Sequence, residues 1–308
     1  MKKEQTAVIF PGQGAQRPGM GQDFYESSDA AKRIFDVASE AIGEDMKNLC
    51  FTENSKLNLT EYTQPAILTT EIAMLKALEQ YNFKPSLFAG HSLGEYSALV
   101  AAEVMDFQDA VKIVKKRGQL MQAAVPEGVG AMAALLMDDI EKSKFKEITL
   151  SAGAEIANYN STGQVVISGK SECIKKASEL LQKEYPEIMR IVELQVSAPF
   201  HSSLMKGIEP EFKAFLGQFQ FKQQNSAKVL SNFKGTFHKP EEFIDNMVSQ
   251  ISGSVDWIQN MRVLNDSAEN IFEVGPNKVL SKFFSTIGVN VPAIINERSA
   301  KKTFMAEG

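Results

Sequence analysis

Cysteine is scarce in this sequence: 308 residues hold only Cys50 and Cys173, with neither C-x-x-C nor metal-ligand spacing. That excludes a disulfide scaffold and a thiolate zinc site, and it fits a reduced, cytoplasmic protein. Histidine numbers three, too few for a histidine-rich centre, so no metal is expected. Positive charge is not in excess either. A formal net charge of −5 argues against a general polyanion binder, and no nucleic-acid partner is expected. Long apolar runs are also missing. Before Pro11 and Gly12 the apolar stretch is too short for a signal peptide, and no later run reaches bilayer length, so no membrane association is expected. Repeats and low-complexity segments do not occur.

What is present is an ordinary globular balance, 44% hydrophobic and 23% charged, long enough for one large domain or a large one with a small one. Residues 6–10 form a largely β-branched apolar run that reads as a buried strand. Helices are expected over 27–42, 63–78 (with a proline in its first turn) and 95–104, and a second buried strand over 86–89. This alternation predicts an α/β fold with a mostly parallel sheet covered by helices. The middle differs. An apolar run at 129–137, a helical pattern at 138–145, strands at 155–159 and 164–168 around N-S-T-G, a helix at 171–184 and a strand at 188–196 make the order β-α-β-β-α-β. That order fits a ferredoxin-like unit inserted in the larger domain. The expected division is 1–127 with 199–308 as a hydrolase-like α/β domain, and 128–198 as the small one. A strand at 229–232, helices at 240–249 and 255–265, and a strand at 270–274 complete the chain.

G-H-S-L-G at 90–94 follows an apolar strand and precedes an alanine-rich, helix-compatible segment. Glycines on both sides permit a tight strand-to-helix turn that lifts the Ser92 hydroxyl clear. The helix N-terminal amides, that of Leu93 first, then face an oxyanion. A serine nucleophile needs a base, and histidine is the usual one near neutral pH. His91, adjacent to Ser92, points elsewhere and reads as structural; His238, in the polar loop F-H-K-P, reads as a surface residue. His201, in V-S-A-P-F-H-S-S, is left as the candidate. No acid between Ser92 and His201 has a distinctive setting, so a Ser-His dyad oriented by a carbonyl stays open beside a full triad.

Arg117, beside Gly118 in a helix-like segment, is either a surface cation or a clamp for a carboxylate. The opening F-P-G-Q-G-A-Q matches neither G-x-G-x-x-G nor a lysine-bearing phosphate loop. Its glycines better serve close approach to the serine turn.

Taken together, F-P-G-Q-G-A-Q at 10–16, L-T-x-x-x-Q-P-A at 59–66, G-H-S-L-G-E at 90–95, R-G-x-x-M-Q at 117–122, N-x-x-G-Q-V-V-I-S-G at 160–169, S-A-P-F-H-S at 197–202 and E-V-G-P at 273–276 occur in one order. In that order they resemble the malonyl-CoA:acyl carrier protein transacylase family from end to end. The resemblance implies a hydrolase-like α/β domain with a ferredoxin-like insertion. It makes Ser92 the acylated nucleophile and His201 the base and acid. It assigns the oxyanion hole to the amides of Gln13 and Leu93, the malonyl carboxylate to Arg117, and histidine orientation to the main-chain carbonyl of Gln250. Gln64 and Asn160 match pocket-lining positions. Where the family often has proline-valine before tryptophan, this chain has Ser254-Val255 before Trp257. The implied partners are malonyl-CoA as donor and the phosphopantetheine thiol of holo-acyl carrier protein as acceptor, with no permanently bound cofactor and a monomeric enzyme. Since such carriers are acidic, a local basic patch near Ser92 is expected, with Lys115 and Lys116 nearby in the chain. The alternative is a polyketide-pathway acyltransferase or an acyl hydrolase of the same fold.

Overall fold

A computed structural model describes residues 5–126, 128–138, 144–186, 190–194, 196, 198–222 and 227–305. Its strands are β1 (Thr6–Phe10), β2 (Leu87–Gly90), β3 (Gly130–Leu136), β4 (Glu155–Ser161), β5 (Gln164–Lys170), β6 (Arg190–Glu193), β7 (Lys228–Val229), β8 (Val255–Asp256), β9 (Asn270–Val274) and β10 (Ala293–Ile294). Its helices are α1 (Gln22–Ser27), α2 (Asp29–Ile42), α3 (Met46–Phe51), α4 (Thr60–Leu78), α5 (Gly94–Ala101), α6 (Phe107–Ala123), α7 (Phe145–Ser151), α8 (Ser171–Glu184), α9 (Glu209–Leu216), α10 (Phe243–Ser252), α11 (Trp257–Ser267), α12 (Leu280–Ser285) and α13 (Glu297–Met305).

The large sheet runs β10-β9-β1-β2-β7, with every neighbour parallel. Successive strand side chains point to opposite faces, and β1 shows the consequence. Val8 and Phe10 join the core with α2, α4, α5 and α6, while Ala7 and Ile9 join Trp257, Leu264 and Phe284 on the other face. Both faces are covered, which explains the unbroken apolar run. Helix α4 lies deepest and is buried on every face. It begins at Thr60, three residues before the expected start, so Pro65 sits in its second turn and forgoes one backbone bond there.

The second sheet runs β6-β3-β5-β4-β8. Four of its strands pair antiparallel in the ferredoxin-like order, over a core of Leu135, Val165, Ile167, Ala177 and Leu181. The fifth, β8, comes from the large unit and pairs parallel with β4. Of the helical pattern expected over 138–145, residues 139–143 lie outside the described set. The described helix is α7, which instead faces the small core with Phe145 and Ile148. The strand expected over 188–196 is described only as β6, with 188, 189 and 195 outside the set. We propose the division at 127/128 and 198/199 because the insertion's ends meet: a β-carbon on Gly130 would fall 2.3 Å from the Pro199 ring.

Candidate active site

Ser92 sits on the turn between β2 and α5 with φ 51°, in the left-handed region that non-glycine residues seldom occupy. The flanking glycines permit it. A β-carbon on Gly90 would lie 1.9 Å from the Gly94 carbonyl carbon, and one on Gly94 would lie 2.1 Å from the Phe10 carbonyl oxygen. The serine main chain is pinned as well, since its N–H donates to Asn232 Oδ1 at 2.6 Å and the Asn232 amide donates to the Gly90 carbonyl at 2.7 Å.

His201 also has positive φ, 55°, and is 4% exposed. Its Nδ1 lies 2.8 Å from the Gln250 main-chain carbonyl, and its Nε2 lies 2.9 Å from Ser92 Oγ. A carbonyl only accepts, so Nδ1 carries the proton and Nε2 offers its lone pair to the serine hydroxyl. Burial, and then the Arg117 charge, hold the imidazole down to about 3 from its ordinary 6.5. The ring is therefore neutral at physiological pH.

Arg117, on α6, is 1% exposed, and among the described residues no carboxylate pairs with it. It donates to Gln64 Oε1 at 3.0 Å, to Gln250 Oε1 at 2.9 Å and to Ser92 Oγ at 3.1 Å, and it lies 5.3 Å from the Tyr96 ring centre. Its Nε has no partner among the described residues. Burial disfavours its charged form, yet a guanidinium stays protonated in proteins, so the site holds a desolvated cation. Gly118 brings α6 this close to α4, because a β-carbon there would fall 2.7 Å from Glu61 Cα and the Thr60 carbonyl.

The amides of Leu93 and Gln13 have no acceptor among the described residues. The loop carrying Gln13 lies against the serine turn, with Gly12 facing the His91 carbonyl. Gln13 itself donates its side chain to Thr60 Oγ1 at 3.2 Å. His91 turns away from Ser92: its Nε2 lies 2.8 Å from Asn160 Oδ1, and its ring packs on Trp257. Asn160 thus contacts the elbow through His91. Lys115 and Lys116, close to Arg117 in the chain, are both engaged: Lys115 donates to the Ile42 carbonyl and Lys116 pairs with Glu211 at 2.6 Å.

One expectation is overturned. His238 is 5% exposed, not a surface residue, and its Nε2 lies 2.7 Å from Glu95 Oε1. Glu95 is the last residue of G-H-S-L-G-E and is wholly buried, so it must find donors. It also accepts from Gln250 Nε2 at 2.6 Å and from the Asn232 N–H at 3.1 Å. Sequence reasoning missed Glu95, Asn232 and His238 as a group. The one available signal was an acid closing a nucleophile motif, at the first turn of an otherwise apolar helix. Among the described residues no group of three or more His, Cys, Asp and Glu is placed to hold a metal ion, and no helix is long and apolar enough to cross a membrane.

Comparison with known proteins shows the family. Residues 7–272 match the acyl transferase domain model. A malonyl CoA-acyl carrier protein transacylase of Staphylococcus aureus is 44% identical over 93% of each chain, and one from Bacillus subtilis is 38% identical over 94% of each. The crystal structure of the Clostridium perfringens malonyl CoA-acyl carrier protein transacylase superposes with TM-score 0.92 at 38% identity, covering 98% of this chain and 96% of that one. A malonyl-transacylase solved in complex with a type II polyketide acyl-carrier protein gives TM-score 0.92 at 31% identity, covering 98% of this chain and 100% of that one. The chain belongs to the acyl transferase domain family and, within it, to the malonyl CoA-acyl carrier protein transacylases.

Proposed function

We propose that this enzyme moves a malonyl group from malonyl-CoA to the phosphopantetheine thiol of holo-acyl carrier protein through a malonyl ester on Ser92, supplying fatty-acid chain extension. The observation that carries this reading is the row Arg117–Ser92–His201, with contacts of 3.1 and 2.9 Å around one hydroxyl. His201 Nε2 takes the Ser92 proton as Oγ attacks the thioester carbonyl. The oxyanion forms where the Gln13 and Leu93 amides are available. Collapse breaks the carbon–sulfur bond, and the His201 proton goes to the departing CoA thiolate. The carrier thiol then gives its proton to His201, attacks the ester carbonyl and regenerates Ser92. Arg117 holds the distal malonyl carboxylate, the anionic partner that this buried cation lacks among the described residues. Gln250 orients His201 by its carbonyl, and Gln64 and Asn160 line the pocket. One chain contributes every group and both cysteines are free, so we take the enzyme to work as a cytoplasmic monomer.

Intact-mass analysis after incubation with malonyl-CoA tests this. Wild type should gain one malonyl group and lose it to holo-carrier faster than to water. Ser92→Ala should gain none, and His201→Ala should acylate about 10²- to 10⁴-fold more slowly. A Ser92→Ala protein that still acquires the adduct overturns the assignment.

A further inference from the structure

Beneath the reacting groups lies a buried polar layer that no step above uses. Glu95 and the His238 side chain are wholly buried, and each oxygen of the carboxylate is engaged. Oε1 faces His238 Nε2 at 2.7 Å. On the far side of that ring, Asn246 Nδ2 lies 3.1 Å from Nδ1. The Asn246 amide is a donor, so Nδ1 accepts and Nε2 carries the proton towards Glu95; a neutral histidine satisfies both contacts. Oε2 takes the Gln250 amide N–H at 2.6 Å and the Asn232 N–H at 3.1 Å.

Gln250 is the connection. Its amide nitrogen is drawn to Glu95 and also donates to the Ser92 carbonyl at 3.1 Å, which turns its oxygen to the Arg117 guanidinium at 2.9 Å. A negative charge on one side of a side-chain amide and a positive charge on the other fix which way that amide points. Were the amide reversed, its nitrogen would meet the guanidinium and its oxygen the carboxylate, two buried repulsive contacts. Glu95 is thus the counter-charge of Arg117 at one remove.

We propose that Glu95, held by His238, is a positioning residue for acyl-group selection: through the Gln250 side chain it keeps the Arg117 guanidinium aligned for a substrate carboxylate beside Ser92. The inference rests on the reading of Arg117 as the carboxylate clamp. A purely structural role for the pair would impair every acyl donor equally. A positioning role acts through Arg117 and therefore affects donors that carry a carboxylate more than those that do not.

The experiment is kcat/KM for malonyl-CoA and acetyl-CoA on wild type, Glu95→Gln, Arg117→Ala, the double variant, His238→Leu and His238→Gln. Glutamine at 95 offers one acceptor and one donor where the site supplies only donors. It should lower the malonyl-to-acetyl ratio about tenfold, the scale of coupling within one hydrogen-bond network. In the Arg117→Ala background the same change should leave the ratio where Arg117→Ala put it. His238→Leu removes the N–H that steadies Glu95 and should also lower the ratio, and His238→Gln, which restores an N–H donor, should recover most of that loss. Equal losses on both thioesters from Glu95→Gln, or the same fall in ratio with and without Arg117, would overturn the proposal. If Glu95→Gln does not fold, the His238 variants decide, and one unchanged ratio across both overturns it. A wild-type ratio in Arg117→Ala alone would instead overturn the clamp reading itself.

Discussion

At the scale of single residues, the site rests on one histidine kept neutral and one buried arginine with no carboxylate among the described residues. Burial and the neighbouring guanidinium both disfavour a proton on His201. Its lone pair therefore stays available far below the pH at which an exposed imidazole would lose it. Single-turnover acylation should be level from about pH 8 to about pH 5 and fall only as pH nears the lowered value. An inflection near 6.5 would show that His201 titrates as though exposed. Stability follows with a fixed sign. The unfolded chain binds the His201 proton below 6.5, whereas the folded chain does so only near about 3. The stability gained by keeping the ring neutral is thus whole above 6.5 and is lost as pH falls through that window. The dyad was legible because few residue types can serve: a glycine-bracketed serine after an apolar strand, and three histidines to choose from. His238 was not. Its neighbours Lys239 and Pro240 mark a surface loop, and only the fold shows that the wholly buried Glu95 draws the ring inward.

At the scale of elements, close approach of the chain does most of the positioning. Helix α6 crosses α4 at Gly118, and this crossing sets the depth of Arg117 and its contact with Gln64. Gly118→Ala should push the helices apart, costing about 1–3 kcal/mol by urea unfolding, the usual range for overpacking a core. It should also reduce malonyl transfer more than acetyl transfer, because the guanidinium moves and the Ser-His pair does not. A variant of wild-type stability and selectivity would show that the crossing has slack. Long elements with one clear period were legible: α8 spans the expected 171–184 and β9 the expected 270–274. Breaks and short elements were not. The helix expected over 27–42 is α2, begun two residues later where Ser28 turns extended at φ −133° and its side chain accepts from the Ala31 N–H, while the six-residue α1 before it was not read. Strand β8 has two residues, and two residues have no period to read. Its register comes from β4, far off in sequence, and from Ser254 Oγ donating to the Ile156 carbonyl at 2.6 Å.

At the scale of the whole molecule, the two sheets meet along one seam, and the seam runs past His201. Strand β8 of the large unit lengthens the small sheet beside β4. At the start of β4, Glu155 accepts from the Ser203 N–H at 3.0 Å and from its hydroxyl at 2.5 Å, two residues beyond His201. The turn holding His201 in its left-handed conformation is therefore braced from the small sheet, while Arg117 and its amide partners Gln64 and Gln250 come from helices of the large unit. The two braces should fail differently. Glu155→Ala leaves Arg117, Gln64 and Gln250 untouched but frees the Ser203 backbone beside a strained residue. Acylation should slow about three- to tenfold, the scale of one ordinary net hydrogen bond, and equally for malonyl-CoA and acetyl-CoA, since both reactions draw on His201. Glu155→Gln, which keeps an acceptor for Ser203, should recover part of that loss. A change in the malonyl-to-acetyl ratio would mean that the small sheet also reaches Arg117, and the proposed separation of His201 from Arg117 along the seam would fall.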